Sequence, residues 1–303
     1  FQAEDGIRDR SPSRGLGDVY KRQDEGLVVA AGDRVVVRIH NTNAQQLIVS
    51  KFPLDEDQAA VDGDWVIPGV SGQGAPVRLE FQHPGGAATG RLLPTGEPIN
   101  SLDVVGAGPL ELSMVDAGNP CVFIAADALG LAGTEMPDVL DSQSELLDRL
   151  ESIRCSASVA MGISDSIEAA AKIPSIPKVA LVSPAQVATT LSGVSIGQSE
   201  CDVTLRMISV GQPHRAIPVT GSMCTAIAAQ ITGTLVHRLC RPEVVPDDIR
   251  IAHPSGVARV GATVNQQSGK WIAENAVLYR TARRLMDGQV YLSAAKTPGL
   301  SAG

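Results

Sequence analysis

The stretch TGSMCTAIAAQITGTLVHRL, Thr220–Leu239, decides how this chain folds. Met223, Ala226, Ile227, Ala228, Ala229, Ile231, Leu235 and Val236 leave no broad polar face, and a helix that is apolar all round is a buried one. The pattern predicts a buried helix over residues 222–239. Its flanks read mostly as strand. RVVVRIH (Arg34–His40) and QLIVSKF (Gln46–Phe52) predict a hairpin around NTNAQ, and APVRLEF (Ala75–Phe81) alternates like a half-buried strand. LELSMVDAGNPCVFIAADALGL (Leu110–Leu131) predicts two strands about an Asn-Pro turn, and PKVALVS and CDVTLRMIS predict two more, with Val203, Leu205 and Met207 on one face. A second helix is expected where Leu146, Leu147, Leu150 and Ile153 recur at helical spacing. Many strands around one buried helix make the fold class α+β.

The 303 residues are 44% hydrophobic, enough for a sizeable core, and carry a formal net charge of −8. That balance implies no polyanion-binding surface, and 3% aromatics argue against base-stacking modules. Neither nucleic acid nor membrane is an expected partner; an acidic protein that binds a small acid needs a local basic site. Five cysteines, without CxxC or a Cys/His pair at metal spacing, fit reduced thiols in a cytoplasmic protein with no metal site. Phe1–Gln23 has mixed charge and no periodicity. It resembles a translated sequencing adapter, so packed structure is not expected there.

The chemistry-bearing residues crowd just before the buried helix. Thr220, Gly221 and Ser222 stand at its expected start, where Thr or Ser caps and free N–H groups attract an anion such as a carboxylate. His214 and Arg215 are placed to supply a proton donor and a cationic clamp, or to be ordinary loop residues. Cys224 reads as a small core residue or as a thiol activated at a helix start. Ser255, in HPSG, reads as a tight turn or a ligand contact.

Several stretches together, among them VDAGNPCVFIAADALGLAGTE, LRMISVGQPHRA, TGSMCTAIAAQITGT, HPSG and YRTARRLMDGQVYL, resemble the 2-methylaconitate isomerase (PrpF) family, in order, from Asp24 to Leu292. The resemblance implies a diaminopimelate epimerase-like fold, two β-barrel-like domains each around a central helix, with the site in the cleft between them. It implies cofactor-independent proton and double-bond shifts in unsaturated di- or tricarboxylates of the 2-methylaconitate type. The 4-oxalomesaconate tautomerases and methylitaconate isomerases of the family are alternatives, and a non-catalytic small-acid-binding accessory protein is the rival of another class. On the family pattern Thr220, Gly221 and Ser222 match the turn at the second central helix, with Thr where the epimerases keep a catalytic Cys. Ser209, Val210 and Gly211 match a substrate-contacting loop, Asn119 a substrate-touching Asn, and His214 a proton carrier or carboxylate contact. Family segments holding the implied base Lys and first-domain Cys have no counterpart here. The expectation is therefore an incomplete first domain (residues 24–108), a second domain (109–269), a return to the first (270–293), a tail (294–303), and a fragment without turnover. Were turnover found, His214, Cys224 or Lys178 would be the groups to reconsider. The implied partner is a small carboxylate substrate; a homodimer is an open option.

Overall fold

The computed structural model describes residues 34–41, 46–55, 58–104 and 108–282. The expectations for residues 1–33, for the turn at 42–45 and for residues 283–303 lie outside the described residues. Thirteen of the described strands form one sheet. The predicted hairpin is present as β1 (Arg34–Asn41) and β2 (Gln46–Asp55), antiparallel, with β3 (Gln58–Ala59) beside it. β4 (Val77–Gln82) follows, then β5 (Asn100–Val104), β6 (Gly108–Ala117) and β7 (Asn119–Ala125). β6 and β7 are antiparallel about Gly118, whose φ of 67° suits a residue without Cβ.

Next come α1 (Pro137–Asp141), α2 (Ser144–Ala160) and α3 (Ile167–Ala171), then β8 (Lys178–Pro184), β9 (Ala188–Thr189), β10 (Ser195–Ile196), β11 (Val203–Ser209) and β12 (Gln212–Pro213). The buried helix is α4 (Val219–Gln230), followed by α5 (Leu235–Leu239), β13 (Ile249–His253), β14 (Gly256–Gln267) and β15 (Lys270–Arg280). The sheet order is β1-β2-β4-β15-β14-β13-β11-β8-β7-β6-β5. The late strand β15 thus lies between β14 and the early strand β4.

Two layers cover the sheet. On one face α4 buries Met223, Cys224, Ala226, Ile227 and Ala228 completely against Val115, Ala117, Phe123, Ala180, Val182, Val203, Leu205 and Met207. On the other, α2 lays Leu146, Leu150, Ile153 and Ala157 over Leu112, Met114, Val122, Ile124, Val179 and Leu181. Strands covered on both faces read as unbroken apolar runs, which is why KVALV and PCVFI do not alternate. Each fully buried large side chain contributes about 1.5–3 kcal/mol of transfer free energy.

The predicted helix over 222–239 is corrected at both ends. It starts at Val219 after an N-cap Pro218, and it breaks at Ile231. Gly233 takes φ 96°, and Thr234 starts α5 by accepting from the His237 N–H at 3.1 Å. A glycine conformation and a new cap interrupt an apolar pattern that periodicity alone would carry through.

Candidate active site

Chain direction places the site. β7 and β8 are parallel and start together, pairing Cys121 with Lys178; β11 runs antiparallel to β8, so Ser209 ends where Lys178 begins. The N-terminus of α4 reaches the same end. A Cβ on Gly118 would collide with Met223 and lie 3.9 Å from Thr220, and one on Gly221 would strike the Met207 side chain. The first-turn N–H groups of α4, those of Val219, Thr220 and Gly221, have no intrahelical acceptor, and no side chain caps them. The expectation that Thr220 or Ser222 caps is corrected: Pro218 is the N-cap, and the Ser222 hydroxyl donates to the Val219 carbonyl at 2.8 Å.

A tight turn delivers His214. Val210 at φ 53° and Gly211 at φ 71° join β11 to β12, the left-handed pair of a short hairpin. Valine is branched and pays for that conformation, and it is 57% exposed, so packing does not explain it. The turn folds the chain back until the His214 N–H donates to the Met207 carbonyl at 2.8 Å. The His214 imidazole is half-buried, and its Nε2 is buried without a hydrogen-bond partner. Burial lowers its pKa, and the Lys178 charge lowers it further, both favouring the uncharged ring.

Lys178 donates to Ser209 Oγ at 3.0 Å, and no carboxylate among the described residues pairs with it. Burial pushes its pKa down. Asn119, the first residue of β7, keeps Oδ1 buried and unpartnered, while its carbonyl lies 3.6 Å from Cys121 Sγ. Behind it, Asp116 Oδ2 accepts from the Thr89 hydroxyl and N–H and the Ala88 N–H at 2.7–2.9 Å, tying loop 83–96 to this end of the sheet.

A second group of bases lies on β11, β13 and β15. His253, 4% exposed, is held at a pKa of about 4 by burial, then by the Arg206 and Arg280 charges. Burial also lowers the Arg280 pKa. Burial brings Arg206 to about 10; its Nε donates to the Glu135 carbonyl at 2.7 Å, and its Nη2 is buried and unpartnered.

The structure brings Asn119, Ser209, His214, Thr220 and Gly221 together. It does not bring Arg215 with them: that side chain is 63% exposed and pairs with Asp138 at 2.6 Å. Ser255 occupies the β13–β14 turn and donates to the Arg215 carbonyl at 2.7 Å. Cys224 is fully buried, and burial beside Cys121 and Asp116 raises its thiol pKa, so it is core and not a nucleophile. His253 and Arg280 were not singled out from sequence, and Lys178 was named only as a group to reconsider were turnover found. A lysine opening an otherwise apolar strand, KVALV, is the sequence signal that could have found Lys178.

Three comparisons set the chain among known proteins. The PrpF protein family matches residues 21–293. A 3-methylitaconate isomerase of Eubacterium barkeri is 38% identical over 275 residues, 90% of this chain and 71% of that protein. A 2-methyl-aconitate isomerase of Cupriavidus necator is 34% identical over 281 residues, 92% of this chain and 69% of that protein. A crystal structure of a methylitaconate-delta-isomerase superposes with a TM-score of 0.84 at 36% identity, covering 96% of this chain and 74% of that one. The fold is thus the diaminopimelate epimerase-like α+β fold. The comparisons give no support to the expected loss of activity. The family match spans nearly the whole chain, and relatives 38% and 34% identical to it are isomerases: the protein belongs to the PrpF family and is an isomerase.

Proposed function

We propose that this isomerase moves an allylic proton, and with it a double bond, within an unsaturated di- or tricarboxylate of the 2-methylaconitate type, without a cofactor. The observation that carries the reading is the Lys178–Ser209–His214 group at the α4 N-terminus, cationic and unneutralised in a protein of net charge −8. A ligand that brings its own negative charge compensates it. The α4 N–H groups bind one carboxylate, with Asn119 and Ser209 orienting it. His214, neutral and half-buried, is the proton carrier: it takes the allylic proton and returns it at the far end of the conjugated system. The strained Val210-Gly211 turn sets the position of that ring. Free cysteines fit a cytoplasmic site of action, and no described helix is long and apolar enough to cross a membrane.

The test is incubation of the protein in deuterium oxide with 2-methylaconitate, methylitaconate and 4-oxalomesaconate in turn, followed by proton NMR. One of the three is expected to isomerise with deuterium entering at an allylic carbon. Absence of both turnover and deuterium exchange from all three would overturn the reading; saturable binding of a tricarboxylate without exchange would favour a non-catalytic acid-binding protein.

A further inference from the structure

We propose that Lys178 is a catalytic residue of this isomerase: its ammonium, steadied by Ser209, binds the substrate carboxylate onto which negative charge flows when the allylic proton leaves. The inference rests on the carboxylate-isomerase reading of the site and assigns a charge-bearing role that His214 and the helix N-terminus do not fill.

The geometry comes first. Lys178 opens β8, beside Cys121 on β7 and opposite the end of β11. Its Nζ donates one hydrogen bond, 3.0 Å to Ser209 Oγ, leaving two of the three N–H bonds of an ammonium unused. The group is half-buried and close enough to His214 for its charge to act on that ring, and His214 Nε2 and, at the start of the paired strand β7, Asn119 Oδ1 are buried without partners. A buried lysine that served only the fold would be matched by an acid or by carbonyls. The same chain shows what that looks like in Arg154, whose guanidinium binds Glu151 and three backbone carbonyls.

The chemistry requires such a group. In the first step a C–H bond next to the conjugated system breaks. Its proton passes to His214, and its electron pair shifts through the double bond onto the carboxylate, which becomes a dienediolate carrying one more negative charge. In the second step the pair returns, a new C–H bond forms at the other allylic carbon with the proton from His214, and the double bond has moved. Atoms and electrons balance without an oxidant or co-reactant. The added charge exists only between the two steps. A cation held against that carboxylate in a water-poor site therefore binds the transition state more strongly than the substrate, and its removal lowers kcat more than it raises KM. Burial, which lowers the lysine pKa in the free protein, also strengthens the attraction once the carboxylate is present.

The experiment compares wild type, Lys178→Met, Lys178→Arg and Ser209→Ala on whichever of the three acids the wild type turns over. Lys178→Met is expected to lower kcat about 10²–10³-fold with KM changed less than about tenfold, the scale found when one donor to a developing oxyanion is removed. Lys178→Arg keeps the positive charge and is expected to stay within about tenfold of wild type, which separates charge stabilisation from proton transfer by the lysine itself. Ser209→Ala is expected to lower kcat about tenfold by loosening the ammonium. Should Lys178→Met not fold, the Ser209→Ala and Lys178→Arg results decide. A wild type inactive on all three acids refutes the functional reading. An active wild type whose Lys178→Met variant keeps kcat within threefold, or loses only in KM, refutes the role of Lys178 alone, as does a Ser209→Ala enzyme with unchanged kcat.

Discussion

Arg154 and Lys178 are two basic side chains at opposite faces of one sheet, and they are treated in opposite ways. Arg154, on α2, is 2% exposed; Nε and Nη2 donate to Glu151 at 2.7 and 2.6 Å, and the remaining donors reach the carbonyls of Ala170, Ile173 and Ile176 at 2.8–3.0 Å. The Glu151 hydrogen bonds raise its pKa. Two residues beyond Ile176 the chain reaches Lys178, which has one hydroxyl for a partner and a lowered pKa. A cation whose donors are all answered locks elements together; a cation left short is held for something that arrives later. Here the first staples α2 to α3 and to the approach to β8, and the second faces the α4 N-terminus.

This contrast can be broken by stability measurements. The largest effect is expected from Arg154→Met, which strips donors from three carbonyls and from Glu151. A loss of about 2–4 kcal/mol in unfolding free energy is expected, read from the denaturant midpoint, with turnover below the transition preserved. A stability change under about 1 kcal/mol would mean that the network is ornamental.

Acid should expose the basic end of the sheet next. His253 has a folded pKa of about 4 against 6.5 when unfolded. Between those values the unfolded chain takes up a proton that the folded protein refuses. Stability from this group is therefore constant above about pH 6.5 and falls as pH drops toward 4, by roughly 3 kcal/mol in total. Unfolding midpoints measured across that window should fall less steeply in His253→Gln; parallel curves for wild type and variant would remove His253 as the cause.

The smallest effect is expected where the contrast is sharpest. Replacing an uncompensated half-buried ammonium by an apolar side chain removes a desolvation cost, so Lys178→Met should leave stability unchanged or raise it by up to about 1 kcal/mol. Calorimetry of the free protein reads this directly. A destabilisation matching that of Arg154→Met would show that Lys178 is as structural as Arg154.

Much of the fold was legible because burial writes itself into local sequence. Leu146, Leu150 and Ile153 mark α2, and the run from Met223 to Ala229, apolar but for Thr225, marks α4 as central. The site was legible in part. Thr220–Ser222, in the first turns of α4, and the neighbouring His214 stand close in sequence to the start of that helix. Arg215 misled for the same reason: the residue after His214 points away and pairs with Asp138. Gly221, matched to the turn at the second central helix, is also required by Met207, so Gly221→Val would disturb core packing as well as any bound carboxylate.

By itself the sequence determined the α+β class, the central helix, the strands around it and the family, because side-chain periodicity and motif order are properties of neighbouring residues. Only the tertiary structure decided which charges meet. Lys178 and Ser209 are 31 residues apart, and they touch because β8 and β11 pair in one register out of several that their apolar runs would allow. Pairing on that scale is set by the packing of both sheet faces at once, α4 on one and α2 on the other, and a buried cation acquires its role from the partners that this packing supplies or withholds.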